Sequence, residues 1–192
     1  PGDVAAVLAG RLIRDKGVAE FVEAARIVAA HSPGIRFLLV GDPDPGNPGA
    51  LGRDFFADLP PNVVHTGWRE DMERVWAASD IAVLPSYGEG FPVGLQEALA
   101  CGVPAVASDV PGCRDVAAPL CKEEHALLVP PRDAEALARA IGRLAASREL
   151  RRAMGSAARN KAVRDFDART LARDMVSLYA SCMSSPDERA AP

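Results

Sequence analysis

The chain is 192 residues long, enough for one domain with a sizeable core, and 48% of its residues are hydrophobic. Its formal net charge of −4 disfavours nucleic acid as a partner, so an anionic ligand must be met by local cations. There is no signal-like N-terminus and no apolar run near the ~18 residues of a membrane span, so the chain reads as cytoplasmic.

Cys101, Cys113, Cys121 and Cys182 form no C-x-x-C pair and His31, His65 and His125 are scattered, which indicates neither a zinc site nor a disulfide framework. The thiols are expected to be buried or idle. The chain starts at Pro1 without a methionine and runs directly into a strand, as a piece of a longer protein would.

Val4 to Leu8 (VAAVL) predicts a first buried strand ending at Gly10, and Lys16 to Ala30 an amphipathic helix with Val18, Phe21, Val22, Ala25 and Val28 on one stripe. GRLIRDKG lies between them, so Arg11, Arg14 and Lys16 occupy a βα loop at the carboxyl edge of the sheet, where open α/β folds bind ligands. Such a loop is either simply solvated or, with Arg11 leaving the strand and Lys16 opening the helix, aimed at one anion.

Ile35 to Val40 predicts the second strand, closed by Gly41 and Asp42, with a proline- and glycine-rich loop beyond. Arg53 to Leu59 is a short helix, Asn62 to Thr66 a third strand ending at Gly67, and Asp71 to Ala78 a helix with Met72, Val75 and Trp76 on its apolar side. His65 reads as core or strand-end packing. Trp68 either packs or walls a base pocket, with packing the simpler reading.

Ile81 to Leu84 is an unbroken apolar run, as expected of a strand buried on both faces, and Pro85, Gly88 and Gly90 stop it. A helix then opens near Val93, carries Leu95, Ala98 and Leu99 at helical spacing, and ends at Gly102 before Pro104. The first amides of such a helix lack internal partners and its dipole is positive there, which suits phosphate. Glycines at 88, 90 and 94 let a ligand come close. Glu89 precedes the helix and Glu97 lies near its first turn, so the two carboxylates can reach opposite ends of an extended ligand, each able to accept a vicinal diol. On spacing alone, Glu97 complementing the helix start and Glu89 as a solvated loop charge explain the pattern as well.

Ala105 to Ala107 is the fifth strand, Ser108, Asp109, Pro111 and Gly112 form a loop at the same edge, and Leu127 to Val129 is the sixth strand. The segment KEEH (122–125) between them reads as exposed. Asp133 caps a helix over Ala134 to Ala146, further helices fit Arg148 to Val163 and Ala168 to Cys182, and the tail 183–192 reads as disordered. The alternation predicts an α/β fold: a doubly wound, Rossmann-like parallel sheet of about six strands with helices on both faces. No G-x-G-x-x-G is present, which argues against a dinucleotide oxidoreductase.

GRLIRDKG, VGD at 40–42, the E-x7-E pair Glu89 and Glu97 within EGFPVGLQEALACGVPAVAS, and LLVPPRDAEALARAI occur in one order. Together they resemble the nucleotide-sugar domain of retaining family 4 (group 1) glycosyltransferases of the GT-B fold, over roughly Val4 to Tyr179. The resemblance implies that residues 1–182 are the C-terminal, donor-binding half of a GT-B enzyme, whose N-terminal acceptor domain is not in this chain. It implies that Arg11 and Lys16 bind the donor diphosphate and steady the leaving phosphate, that Glu89 contacts the donor sugar and that Glu97 holds the ribose diol. Gly10, Gly41 and Gly90 would border the donor. The amides of Phe91, Val93 and Gly94 would touch the diphosphate or sugar, and Gly67 and Trp68 would border the base.

The same resemblance implies a UDP- or GDP-sugar as substrate, no metal or other cofactor, front-face transfer without a covalent intermediate on Glu89, and a full-length protein that is cytoplasmic or peripheral at the inner face of the membrane, in surface polysaccharide or glycolipid assembly. The isolated fragment would bind nucleotide without transferring sugar. Two features depart from the family pattern: Pro92 stands where many members carry glycine, removing one amide, and Ala126 replaces a turn glycine before the sixth strand. Leu171, Met175, Leu178 and Tyr179 would leave an apolar patch on the last helix, through which the fragment could self-associate. A nucleotide-sugar epimerase of related architecture and a non-catalytic nucleotide-binding module are the alternatives.

Overall fold

A computed structural model describes residues 3–32, 34–118 and 124–183. Strands β1 (Val4–Ala9), β2 (Ile35–Val40), β3 (Val63–Gly67), β4 (Ile81–Leu84), β5 (Ala105–Ser108) and β6 (Ala126–Val129) form one parallel sheet in the order β3-β2-β1-β4-β5-β6. The chain winds outward from β1 to β3, then returns to place β4 on the other side of β1. The helices that follow β1 and β4 therefore lie on opposite faces of the sheet, which opens a crevice at the carboxyl edge.

Both faces of the sheet are covered, because side chains alternate along each strand. Ala6 and Leu8 of β1, Phe37 and Leu39 of β2 and Val83 of β4 face helices α1 (Val18–Ala29) and α6 (Ala134–Ala146). Val7, Val40, Ala82 and Ala107 face the layer of α3 (Met72–Ala77), α4 (Val93–Ala100), α5 (Pro111–Ala117) and α7 (Arg148–Asp165). Each stripe residue expected on α1 is buried, and Phe21 meets Phe37 edge to face at 5.1 Å. The short α2 (Arg53–Ala57) and the long α8 (Ala168–Met183) complete the described elements.

Several expectations are corrected. The first helix does not open at Lys16. Arg14–Lys16 is a 3-10 turn, Gly17 takes a left-handed conformation (φ 68°), and only then does α1 begin. The loop expected at 108–112 ends in a helix, α5, with Pro111 at its first position, where a missing N–H costs nothing. His125 is buried, with its ring Nε2 3.1 Å from the Val116 carbonyl, so KEEH is not uniformly exposed; Lys122 and Glu123 lie outside the described residues. Cys113 is a buried free thiol, and Cys101 and Cys182 are free and exposed; Cys121 lies outside the described residues. The expected tail begins inside α8, which includes Met183, and 184–192 lie outside the described residues.

Asp133 caps α6 as expected, accepting a hydrogen bond from the Ala136 amide at 2.8 Å. On α8, Leu171, Met175, Leu178 and Tyr179 are all exposed. Among the described residues no helix is long and apolar enough to cross a membrane.

Candidate functional site

Two loops meet at the crevice between β1 and β4. A Cβ on Gly17 would stand 2.1 Å from the Pro85 carbonyl oxygen, so only glycine lets the start of α1 press against the end of β4. Hydrogen bonds then join the loops. The Tyr87 amide donates to the Asp15 carbonyl at 2.8 Å and the Tyr87 hydroxyl to Glu20 Oε1 at 2.6 Å. Lys16 Nζ donates to Glu89 Oε1, also at 2.6 Å. The Arg132 guanidinium lies 4.4 Å from the centre of the Tyr87 ring, on a backbone held at φ 62°.

Glu89 is supported from the far side by α5. A Cβ on Gly112 would approach the carbonyl oxygens of Glu89 and Gly90 to 2.4 and 2.3 Å, so this glycine lets the loop rest on the helix. Burial of the neighbouring Cys113 pushes its thiol up to about 12, with the Glu89 charge adding to the shift and Lys16 opposing it.

A cleft of about 380 Å³ opens above these loops. Gly10, Arg11, Lys16, Gly41, Trp68, Glu89, Phe91, Pro92, Val93, Gly94 and Glu97 all line it. Gly67 and Gly90 do not: Gly67 ends β3 at φ 72° and delivers Trp68 to the rim, and Gly90 is exposed beside Glu89. Trp68 is 68% exposed, so it stands at the cleft edge rather than packing in the interior. His65 bonds the Gly41 carbonyl through Nε2 at 2.8 Å and leans on Phe56, a strand-end role.

Ala9, Val40, Arg69, Met72, Trp76 and Leu84 also line the cleft, beyond the residues expected there from the sequence. Most are apolar residues at strand ends or on α3 whose packing signal hides any ligand role. Arg69 carried a readable signal, an Arg-x-Asp step after Trp68: it forms a two-pronged pair with Asp71 at 2.8 and 2.7 Å.

Each cation lining the cleft has an anionic partner. Arg11 lies 3.3 Å from Asp44, Lys16 is bonded to Glu89, and Arg69 to Asp71. Asp71 is held below the usual carboxylate range, first by its hydrogen bond from Arg69. Helix α4 starts after Pro92 with no side-chain cap, and its first internal bond is Gln96 N–H to the Pro92 carbonyl at 3.3 Å. The amides of Val93, Gly94 and Leu95 thus stand at the positive end of the helix, facing a cleft lined by Val93 and Gly94. Glu97 is the fifth residue of α4, close to its first turn as expected. The Trp76 indole N–H lies 3.5 Å from its Oε2. One carboxylate is therefore held on the Lys16 side and the other on the Trp76 side. Among the described residues no group of three or more His, Cys, Asp or Glu side chains could hold a metal.

Residues 4–147 match the family described as glycosyl transferases group 1. The chain belongs to the group 1 glycosyltransferases. It is 34% identical over 186 residues to an exopolysaccharide phosphotransferase of Streptomyces coelicolor, a match spanning 95% of this chain and 19% of that protein. It is 33% identical over 174 residues to the N,N'-diacetylbacillosaminyl-diphospho-undecaprenol alpha-1,3-N-acetylgalactosaminyltransferase of Campylobacter jejuni, spanning 90% of this chain and 43% of that one. Its fold superposes on sucrose-phosphate synthase from Thermosynechococcus elongatus with a TM-score of 0.79 and 31% identity, over 94% of this chain and 46% of the other. This group 1 glycosyltransferase chain spans less than half the length of each of these relatives. It matches the C-terminal part of longer GT-B proteins.

Proposed function

We propose that this domain binds a nucleoside-diphosphate sugar, a UDP- or GDP-sugar, and presents it for retaining transfer to an acceptor held by an N-terminal domain of the full-length protein. The observation that carries the reading is the convergence, in one cleft at the switch point of the sheet, of two cations, two carboxylates and the uncapped start of α4. The diphosphate lies against the α4 amides with Arg11 and Lys16 beside it. Glu89 takes hydroxyls of the sugar, Glu97 takes the ribose diol, and Trp68 with Gly67 borders the base.

In the transfer step the bond from the anomeric carbon to the phosphate oxygen breaks and its electron pair stays on the diphosphate. The acceptor hydroxyl oxygen bonds to the anomeric carbon from the same face, and its proton passes to the departing phosphate oxygen. Arg11, Lys16 and the amides at 93–95 meet the charge that develops there, the kind of preorganised stabilisation that commonly dominates catalysis. This division of roles needs neither a metal nor a covalent adduct on Glu89. The proposed location of the full-length protein is the cytoplasm, peripheral at the inner face of the membrane; the undecaprenol-linked substrate in the Campylobacter relative's name supports proximity to a membrane.

Calorimetric titration with UDP, GDP and ADP tests the reading. One nucleoside diphosphate binds; Lys16→Ala and Glu97→Ala each weaken it by about ten-fold or more, as expected for losing a hydrogen bond to a charged group. Arg139→Ala, on the exposed face of α6, leaves it unchanged. Absence of binding by all three nucleotides at millimolar concentration refutes the proposal. The transferase name of the Campylobacter relative favours transfer over epimerisation.

A further inference from the structure

Lys16 and Glu89 are both assigned to the ligand, yet they are bonded to each other at 2.6 Å. The Glu89 side chain is only 10% exposed and that of Lys16 27%, so water screens the pair weakly. Among the described residues Lys16 is the ion-pair partner of this carboxylate, and the loop bearing it is pressed onto α5 at Gly112, which leaves it little room to swing away. A diphosphate that takes Lys16 therefore leaves a largely buried carboxylate without its counter-charge, beside the anion that displaced it.

We propose that the Lys16–Glu89 ion pair makes the cleft discriminate the intact sugar nucleotide from the free nucleoside diphosphate. The inference rests on the sugar-nucleotide reading above. Free nucleoside diphosphate takes the cation and gives Glu89 nothing in return, so it meets the full penalty of an unpaired buried acceptor. The intact donor takes the same cation but returns sugar hydroxyls, each able to donate to Glu89. Specificity of this kind comes as much from the penalty set against the wrong ligand as from contacts to the right one. The consequence is easier release of the nucleoside diphosphate once the sugar has left. Arg11 and Asp44 form a second pair at the rim, but at 61% and 35% side-chain exposure solvent screens it, so its share of the discrimination is small.

The test is titration of wild type and Glu89→Gln with UDP, UDP-glucose, GDP and GDP-mannose, with thermal melting to show that each variant is folded. Glu89→Gln removes the competing charge and keeps the shape. Binding of the free nucleotide tightens by about five-fold, the upper range for a partly screened pair, whereas the sugar nucleotide gains nothing, so the preference for the intact donor collapses. Asp115→Asn, which removes one exposed charge on α5, shifts neither ligand by as much as about two-fold. If Glu89→Gln fails to fold, Glu89→Leu removes the same charge and gives the same direction. A free nucleotide that binds the variant as in wild type, or more weakly, overturns this inference and leaves the donor-site reading standing. Wild type that binds none of the four ligands overturns both.

Discussion

Gly17→Ala isolates the joint on which the site is hung. The residue sits at φ 68° and an added Cβ would lie 2.1 Å from the Pro85 carbonyl oxygen, 2.7 Å from its carbon and 2.9 Å from its Cβ. Two penalties follow. A left-handed backbone costs a non-glycine residue roughly 1–2 kcal/mol. Relieving the overlap means moving the start of α1 away from the end of β4 by about an ångström, an overpacking strain of roughly 1–3 kcal/mol. The sum, roughly 2–5 kcal/mol, lowers Tm by about 4–20 °C at the ~2–4 °C per kcal/mol typical of a chain this size. Circular dichroism melting against Gly142→Ala as the reference measures it. Gly142 lies inside α6 with nothing within 4 Å of its added Cβ, so alanine there stabilises by about 0.5–1 kcal/mol. Because Lys16 immediately precedes Gly17, nucleotide binding weakens with stability. A Gly17→Ala protein that melts within about 2 °C of wild type refutes the reasoning about this joint.

Asp133→Ala removes the acceptor of the Ala136 amide at the start of α6 and lowers Tm by about 2–4 °C in the same melting assay, the effect of losing about 1 kcal/mol of capping. Asp165 is held below the ordinary value of 3.8, first by its hydrogen bond from Arg164 and also by Lys161, whose ammonium is buried. A depressed carboxylate stabilises the fold above its unfolded pKa, and that contribution is lost as pH falls through the folded one. Melting temperature therefore falls more steeply with acidification below about pH 4 in wild type than in Asp165→Asn. Cys113 resists maleimide in the native state while Cys101 and Cys182 react, because it is buried and its thiol is pushed up to about 12; peptide mass spectrometry after labelling, with and without denaturant, reads the difference.

Strands β1, β2, β4 and β6 were legible because each is a run of four to six mainly apolar residues closed by glycine or proline, a pattern that needs no knowledge of its neighbours. The helix stripes were legible for the same reason: Val18, Phe21, Val22, Ala25 and Val28 announce a buried face whichever sheet covers it. Helix α5 was missed because seven residues with a glycine and two charges carry no stripe. His125 was misplaced because polar neighbours describe a segment's average, whereas its own burial is decided by α5 and β6 around it. Trp68 stayed open between packing and a pocket wall, because large aromatic residues usually pack; the turn at Gly67 sends it to the cleft rim.

Hydrophobic period and turn spacing determine the layered α/β class, and the motifs in their order carry the resemblance to the family. They do so because each acts over a few residues. Tertiary structure alone decides that Lys16 and Glu89, 73 positions apart, share a hydrogen bond, that Gly17 and Gly112 are contact points between distant segments, and that a cleft lies between them. These depend on strand order, and the sheet places β4 beside β1 only after the chain has travelled through β2 and β3 and returned.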